Sequence, residues 1–320
     1  MPNFKQFGIT VVGLLVAAGA MASNFRVADQ VYLPVAGKVA NFKTDVNISN
    51  LSADPVTVTM ALVQGANLTA AAPQNNFPSI LLAAGERREI IDFFPLALGL
   101  QSGLGQVLFN ACKTGSDCSG SDQSGFRNIS VESRIYAVDA NGNTTGQGFA
   151  GLPWYSYISN NQANNGTNLD KAFVTGLSQT TGAAPTFRTN LGFTNASQFS
   201  TTTLTVKLFN ATGTQLGTAA VTLGPLGQSQ PALAGLFPGA SGRGLWMTVE
   251  QTSVTPTADA SDPAFGCTDG CPGFFTYASV IDNVTSDPTT LESQFLVPLT
   301  TQALAAIYPA GKVPSRAAKH

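Results

Sequence analysis

The stretch "FRTNLGFTN", Phe187 to Asn195, is nearly a restatement of "FKTDVNISN", Phe42 to Asn50, earlier in the chain. Read with period two, Phe42, Thr44, Val46 and Ile48 face one way, and Lys43, Asp45, Asn47 and Ser49 the other. Phe187, Thr189, Leu191 and Phe193 repeat the inward face. That alternation describes a half-buried strand rather than a helix. Burying each large apolar side chain contributes about 1.5–3 kcal/mol, which fixes the strand's register.

The segments downstream of the two copies match as well. After the first come the turn "LSADP" and the strand "VTVTMALV"; after the second, "ASQFSTT" and "TLTVKLFN". "ILLAAGERREI" corresponds to "AVTLGPLGQSQPAL", and both copies then reach "FFP" or "LFP". "GQVLFNA" answers "GLWMTVEQT". Each copy next enters a polar loop with a cysteine pair and closes on a strand, "ISVESRIYAVD" or "FFTYASVIDN". A duplicated unit of short alternating strands, with no amphipathic helix of usual length, predicts an all-β chain of two tandem antiparallel Ig-like β-sandwiches. The expected divisions are a first sandwich at 29–155, a linker or exposed loop at 156–170, a second sandwich at 171–294, and a C-terminal strand and tail at 295–320.

Composition agrees. The chain has 320 residues, enough for two cores. Only 11% are charged, against about 25% in an average domain. Thr, Ser, Asn and Gly carry the polarity, which suits strands and tight turns. A net charge of −2 without a basic cluster argues against a polyanion partner, and no nucleic acid is expected. Residues 1–22 read as a cleaved secretory signal: Lys5, the apolar run "FGITVVGLLVAAGAM", then Ala20-Met21-Ala22. No other stretch is long and apolar enough to span a bilayer as a helix. The expectation is an exported protein, secreted, extracellular or at the cell surface, with the periplasm as another destination. In such a compartment Cys112–Cys118 and Cys267–Cys271 are expected to form local disulfides that stiffen two loop tips.

The second copy's "FRTNLGFTNAS" and "YASVIDNVTSDPT" resemble a tandem repeat of exported bacterial proteins of unassigned function. The first copy's "FKTDVNISN" and "SRIYAVDANGNTTGQGFAGLP" are similar to the first member of such pairs. The likeness covers most of residues 31–295. It implies paired Ig-like sandwiches and no known activity, and it says nothing of the cysteine loops.

Catalytic chemistry has few candidates. The one histidine is His320, the last residue, which removes His-based triads and His-ligated metals. There is no GxSxG, phosphate loop or dinucleotide fingerprint. Glu86, Glu89 and Asp92 in "GERREIIDFF" could suggest a carboxylate hydrolase, but charges of alternating sign with Arg87 and Arg88 read as a solvated face. No enzyme activity and no cofactor are expected. Calcium is a weak alternative at Asp259, Asp262 and Asp269, with Asp117 and Asp122 in the other cysteine loop. "DANGN", Asp139 to Asn143, reads as a hairpin turn. Trp154, Tyr155 and Tyr157 are the candidate ligand-binding residues, able to stack on a glycan or to pack between domains. Trp246 reads as core. "LESQFLVPLTTQ" offers either a last strand or one that pairs with a neighbouring molecule. The function expected is a structural or adhesive surface or matrix protein, with self-assembly as one route, whose partner is itself, another surface protein or a glycan. The alternative is a carbohydrate-binding module.

Overall fold

The computed structural model describes residues 27–65, 77–116, 118, 124–153, 171–182, 184–261, 270 and 272–295. Outside the described residues lie the leader at 1–22, the linker at 156–170, the tail beyond residue 295, and Trp154, Tyr155, Tyr157, Cys267, Cys271, Asp117, Asp122, Asp262 and Asp269.

The first series of strands is β1 Gln30–Lys38, β2 Phe42–Asn50, β3 Val56–Gln64, β4 Ser79–Leu82, β5 Arg87–Ile90, β6 Gly103–Lys113, β7 Ile129–Val138, β8 Thr144–Ala150 and β9 Leu152–Pro153. The second is β10 Lys171–Gln179, β11 Phe187–Asn195, β12 Ser200–Phe209, β13 Gln215–Leu223, β14 Gln228–Ser229, β15 Gly242–Pro256, β16 Phe274–Asp282, β17 Pro288–Glu292 and β18 Gln294–Phe295. They form four antiparallel sheets: β4-β3-β6-β1-β9 faces β5-β2-β7-β8, and β13-β12-β15-β10-β18 faces β14-β11-β16-β17. Strand for strand, the second pair repeats the first. The layer layout is that of an immunoglobulin sandwich, with the first strand placed where such a domain puts its last and the seventh beside β2 where the first would lie.

Two residues explain why the nine-residue motif recurs. Thr44 Oγ1 donates to Gly37 O (2.8 Å) and accepts from Gly37 N (2.9 Å), tying β2 to the backbone of β1 across the sandwich. Thr189 does the same in the second copy, donating to Ser178 O (2.5 Å) and accepting from Ser178 N (3.3 Å). The closing Asn clamps two turns. Asn50 Nδ2 donates to Asp54 O and Ala83 O, and Oδ1 accepts from Ser52 N. Asn195 repeats this with Ser200 O, Gly224 O and Ser197 N. A buried side chain that satisfies three backbone groups is hard to replace.

Each pair of sheets encloses its own core, Val31, Leu33, Val46, Ile48 and Phe109 in the first and Val174, Leu191, Phe193, Met247 and Phe274 in the second. The sandwiches are not separate beads. The outer face of β1, β3 and β6 presents Tyr32, Ala61, Val63 and Leu108 to Ala196, Leu226 and Phe275 of the second, forming a third apolar cluster. Across this seam Gln106 Nε2 donates to Leu226 O (2.6 Å) and Asn195 O (3.2 Å), and Tyr32 Oη to Ala196 O (3.3 Å).

Tyr277 goes further. It points away from its own sandwich and is buried in the core of the first, edge-on to Phe149 at 5.3 Å. Its cross-strand partner is Gly192, where a Cβ would lie only 2.0 Å from the phenol ring. The glycine is the space the ring occupies.

Candidate functional site

A cavity of about 590 Å³ opens along the seam. One wall is the end of the first sandwich where its two sheets part: Val35 of β1, Phe42 of β2, Leu104 of β6 and Ile135 of β7. The other is the outward face of β11 and β16, carrying Arg188, Asn190, Ser279 and Ile281. Successive strand residues alternate between faces, so β11 sends Thr189 and Leu191 to its core and Arg188 and Asn190 to the cleft. Ser279 Oγ donates to Gln147 Oε1 at 2.8 Å and joins the walls at the cleft's floor.

The volume is in the range of small-ligand sites, and the mix of apolar wall and a few amides is typical of them. Phe42 is 46% exposed at the mouth, which corrects its assignment to the inward face: the strand's first residue projects past the core into the cleft. Asp139 also lines the cleft, but its carboxylate is committed to the β7–β8 turn. It accepts from Asn143 Nδ2 (2.9 Å), Asn143 N (2.8 Å) and Asn141 N (2.9 Å). Those bonds, the Asn143 amide first, hold it below the usual carboxylate range, so it stays ionised and is no proton donor at neutral pH. "DANGN" is the hairpin turn that its spacing predicts. Arg188 Nη1 donates to Asn283 Oδ1 at 2.7 Å.

The carboxylates of "GERREIIDFF" do not converge on a cleft. Glu86 is held below its ordinary range by the Ala83 backbone N–H and by Arg88. Asp92 pairs with Lys38, and its backbone N–H donates to Asp45 Oδ1. Asp259 sits in a short 3₁₀ turn, Ala258–Ser261. Among the described residues no three His, Cys, Asp or Glu side chains form a group that could hold a metal ion.

Trp246 is not core. Leu245, Met247 and Val249 point inward, while Trp246 lies half-buried on the outer face of β15. It stacks on Phe209 of β12 at 4.1 Å and on Phe173 of β10 at 6.5 Å, and its indole N–H donates to Asn210 O. Ring faces used on one another are not free to stack on a sugar, so this row stabilises the sheet. The aromatics singled out in the sequence, Trp154, Tyr155 and Tyr157, come directly after β9 but lie outside the described residues.

The Cys112–Cys118 disulfide is formed, and Gly125 packs against it: a Cβ there would lie 2.7 Å from Cys118 Sγ. The base of its loop is anchored by Asp54, which pairs with Arg127 (2.7 Å) and Lys113 (3.0 Å). Among the described residues no helix is long and apolar enough to cross a membrane.

No family profile and no curated protein matches the chain in sequence. Structural overlaps include a calcium-binding mutant of beta-glucuronidase 2 from Bacteroides uniformis, at 10% identity and a TM-score of 0.14. Another is the same enzyme bound covalently to cyclophellitol-6-carboxylate aziridine, at 10% identity and 0.15. A third is the Bacteroides uniformis beta-glucuronidase, at 11% identity and 0.15. Each overlap covers 79% of this chain and 24% of the enzyme, so the match spans about a quarter of those proteins. Overlaps this weak carry no inference.

Proposed function

We propose that this chain is a non-enzymatic exported protein of the cell surface or extracellular matrix, with a structural or adhesive role. The observation that carries the reading is the seam. Tyr277 of one sandwich completes the core of the other, which makes a stiff block of two domains rather than two hinged modules. Stiffness suits a part that bears load or holds a surface at a fixed distance. The disulfide-closed loop and the leader-like first 22 residues support an oxidising destination. The bacterial tandem repeat it resembles is also exported. The test is protease shaving of intact source cells, with mass spectrometry of the released peptides and of the medium. Peptides from both sandwiches in either fraction are expected; full protection until the cells are lysed would overturn the reading.

The cleft favours a second reading, carbohydrate binding. Phe42 offers a ring face at the mouth and Asn190, Gln230 and Gln147 offer amides, a set suited to hydroxyl groups without a charge requirement. Glycan-array binding that disappears in Phe42→Ala places the ligand in the cleft. Loss in Trp154→Ala instead places it at the aromatic run, and silence across the array contradicts the reading.

A further inference from the structure

Among the described strands, the edges of the four sheets are unequal, and the difference singles out β13. Edge strands with free backbone groups invite pairing, and proteins blunt them by shortness, charge, proline or cover. Strands β9, β14 and β18 are two residues long and β4 four. β5 is also four residues and carries Arg87, Arg88 and Glu89. β8 and β17 cover one another, with Thr290 Oγ1 donating to Gly148 O at 2.9 Å. β13 has none of these devices beyond one register shift near its start, at Leu216. It is nine residues long, "QLGTAAVTL", without a charge or a proline, and among the described strands it pairs only with β12. Leu216, Thr218, Ala220 and Thr222 are exposed along it.

We infer that β13 is a self-association edge. Two copies of the chain pair β13 with β13 in antiparallel fashion about a two-fold axis, joining their five-stranded sheets into one continuous ten-stranded sheet. This rests on the structural role proposed for the chain and names the contact through which the protein assembles.

The occupant is a second copy for three reasons. The central run Gly217-Thr218-Ala219-Ala220 is small on both faces, so it offers no side-chain pocket that would select a foreign peptide, and main-chain pairing is what remains. The strand is neutral, so an antiparallel self-pair opposes no like charges. The nearest basic side chain, Lys207, sits one strand in, opposite Thr218. Across the axis the two Lys207 strands stand three spacings apart, roughly 14 Å, beyond the ~10 Å screening length at 0.1 M salt. A two-fold pair of this kind is isologous and closed, so it yields a dimer and not a fibre.

The test is sedimentation velocity of the purified full chain over a concentration series, wild type beside the double variant Thr218→Lys, Ala220→Lys. Both positions are exposed, so the variant keeps the fold, which circular dichroism and an unchanged thermal midpoint verify. Amide exchange of residues 215–223 is measured in both. The expected result is a wild-type dimer with slowed exchange confined to β13, and a variant that sediments as a monomer with fast exchange there. A wild type that stays monomeric at its highest soluble concentration overturns the inference. So does an oligomer that the two lysines leave intact. Neither result touches the surface location read by protease shaving, so the two claims fail separately.

Discussion

Replacing Asn195 by alanine removes three hydrogen bonds in one step. The carbonyls of Ser200 and Gly224 lose a donor at 2.7 and 2.8 Å, and the N–H of Ser197 loses its acceptor at 2.9 Å. All three contacts are buried, and Asn195 itself is fully covered because the first sandwich lies over it. At a net 0.5–1.5 kcal/mol per bond, with backbone groups left unpaired, the cost is about 2–4 kcal/mol. Asn50, equally buried, makes the same three bonds and accepts a fourth from Ser52 Oγ, but its partners Ser52, Asp54 and Ala83 are half-buried or exposed. Water replaces part of what is lost there, and the cost falls to about 1–2 kcal/mol. Guanidinium unfolding at pH 7 reads both as shifts of midpoint at constant slope. Asn195→Ala is expected to cost more than Asn50→Ala, whatever the absolute values. A loss below about 0.5 kcal/mol for Asn195→Ala, or the reverse order, refutes the view that this residue clamps the loops.

Gly192→Ala places a Cβ in the ring of Tyr277 and drives the phenol out of the first core; a loss of about 3 kcal/mol or more is expected in the same assay. Tyr277 also carries an alkaline signature. Burial pushes its phenol well above the ordinary tyrosine range, and the amide of Gln228, donating to it at 3.2 Å, pulls it back only in part. Below about pH 10 both folded and unfolded chains keep the proton; above it the unfolded chain ionises first, so stability falls as pH rises, by up to about 1.4 kcal/mol per unit. Tyr277→Phe is expected to be slightly less stable near pH 8 and to lose stability more shallowly above about pH 10. An unchanged slope in denaturant titrations across that range contradicts the burial of the hydroxyl. Cys118→Ser opens a loop closed over a sequence separation of 6, and loop entropy sets the loss at about 2 kcal/mol; a wild type equally stable with and without reductant would contradict it.

The repeat is legible in the sequence because period-two patterning survives wherever one face of a strand meets solvent. β2 obeys it from Thr44 to Asn50, with alternate residues buried. It fails where the sandwiches meet. In β11 the run from Leu191 to Asn195 is buried on both faces, since Gly192 and Thr194 face the neighbouring sandwich. Continuous apolar runs are the mark of strands covered twice. "VYLPVA", "MALV" and "FFTYAS" carry that mark, and they are the stretches that build the seam. Phe42 and Trp246 defeat the pattern for related reasons. An aromatic in an alternating strand reads as core, yet one stands at the cleft mouth and the other in a cross-strand stack on the outer face. The cleft itself is not legible, because its walls come from opposite sandwiches and no local pattern joins Ile135 to Ile281.

Differential scanning calorimetry of the full chain bears on the shared core without intermediaries. Two sandwiches joined through Tyr277 unfold together, so one transition is expected, with calorimetric and van't Hoff enthalpies that agree. Two separable transitions, each with its own enthalpy and each surviving unchanged in Tyr277→Ala, would contradict it.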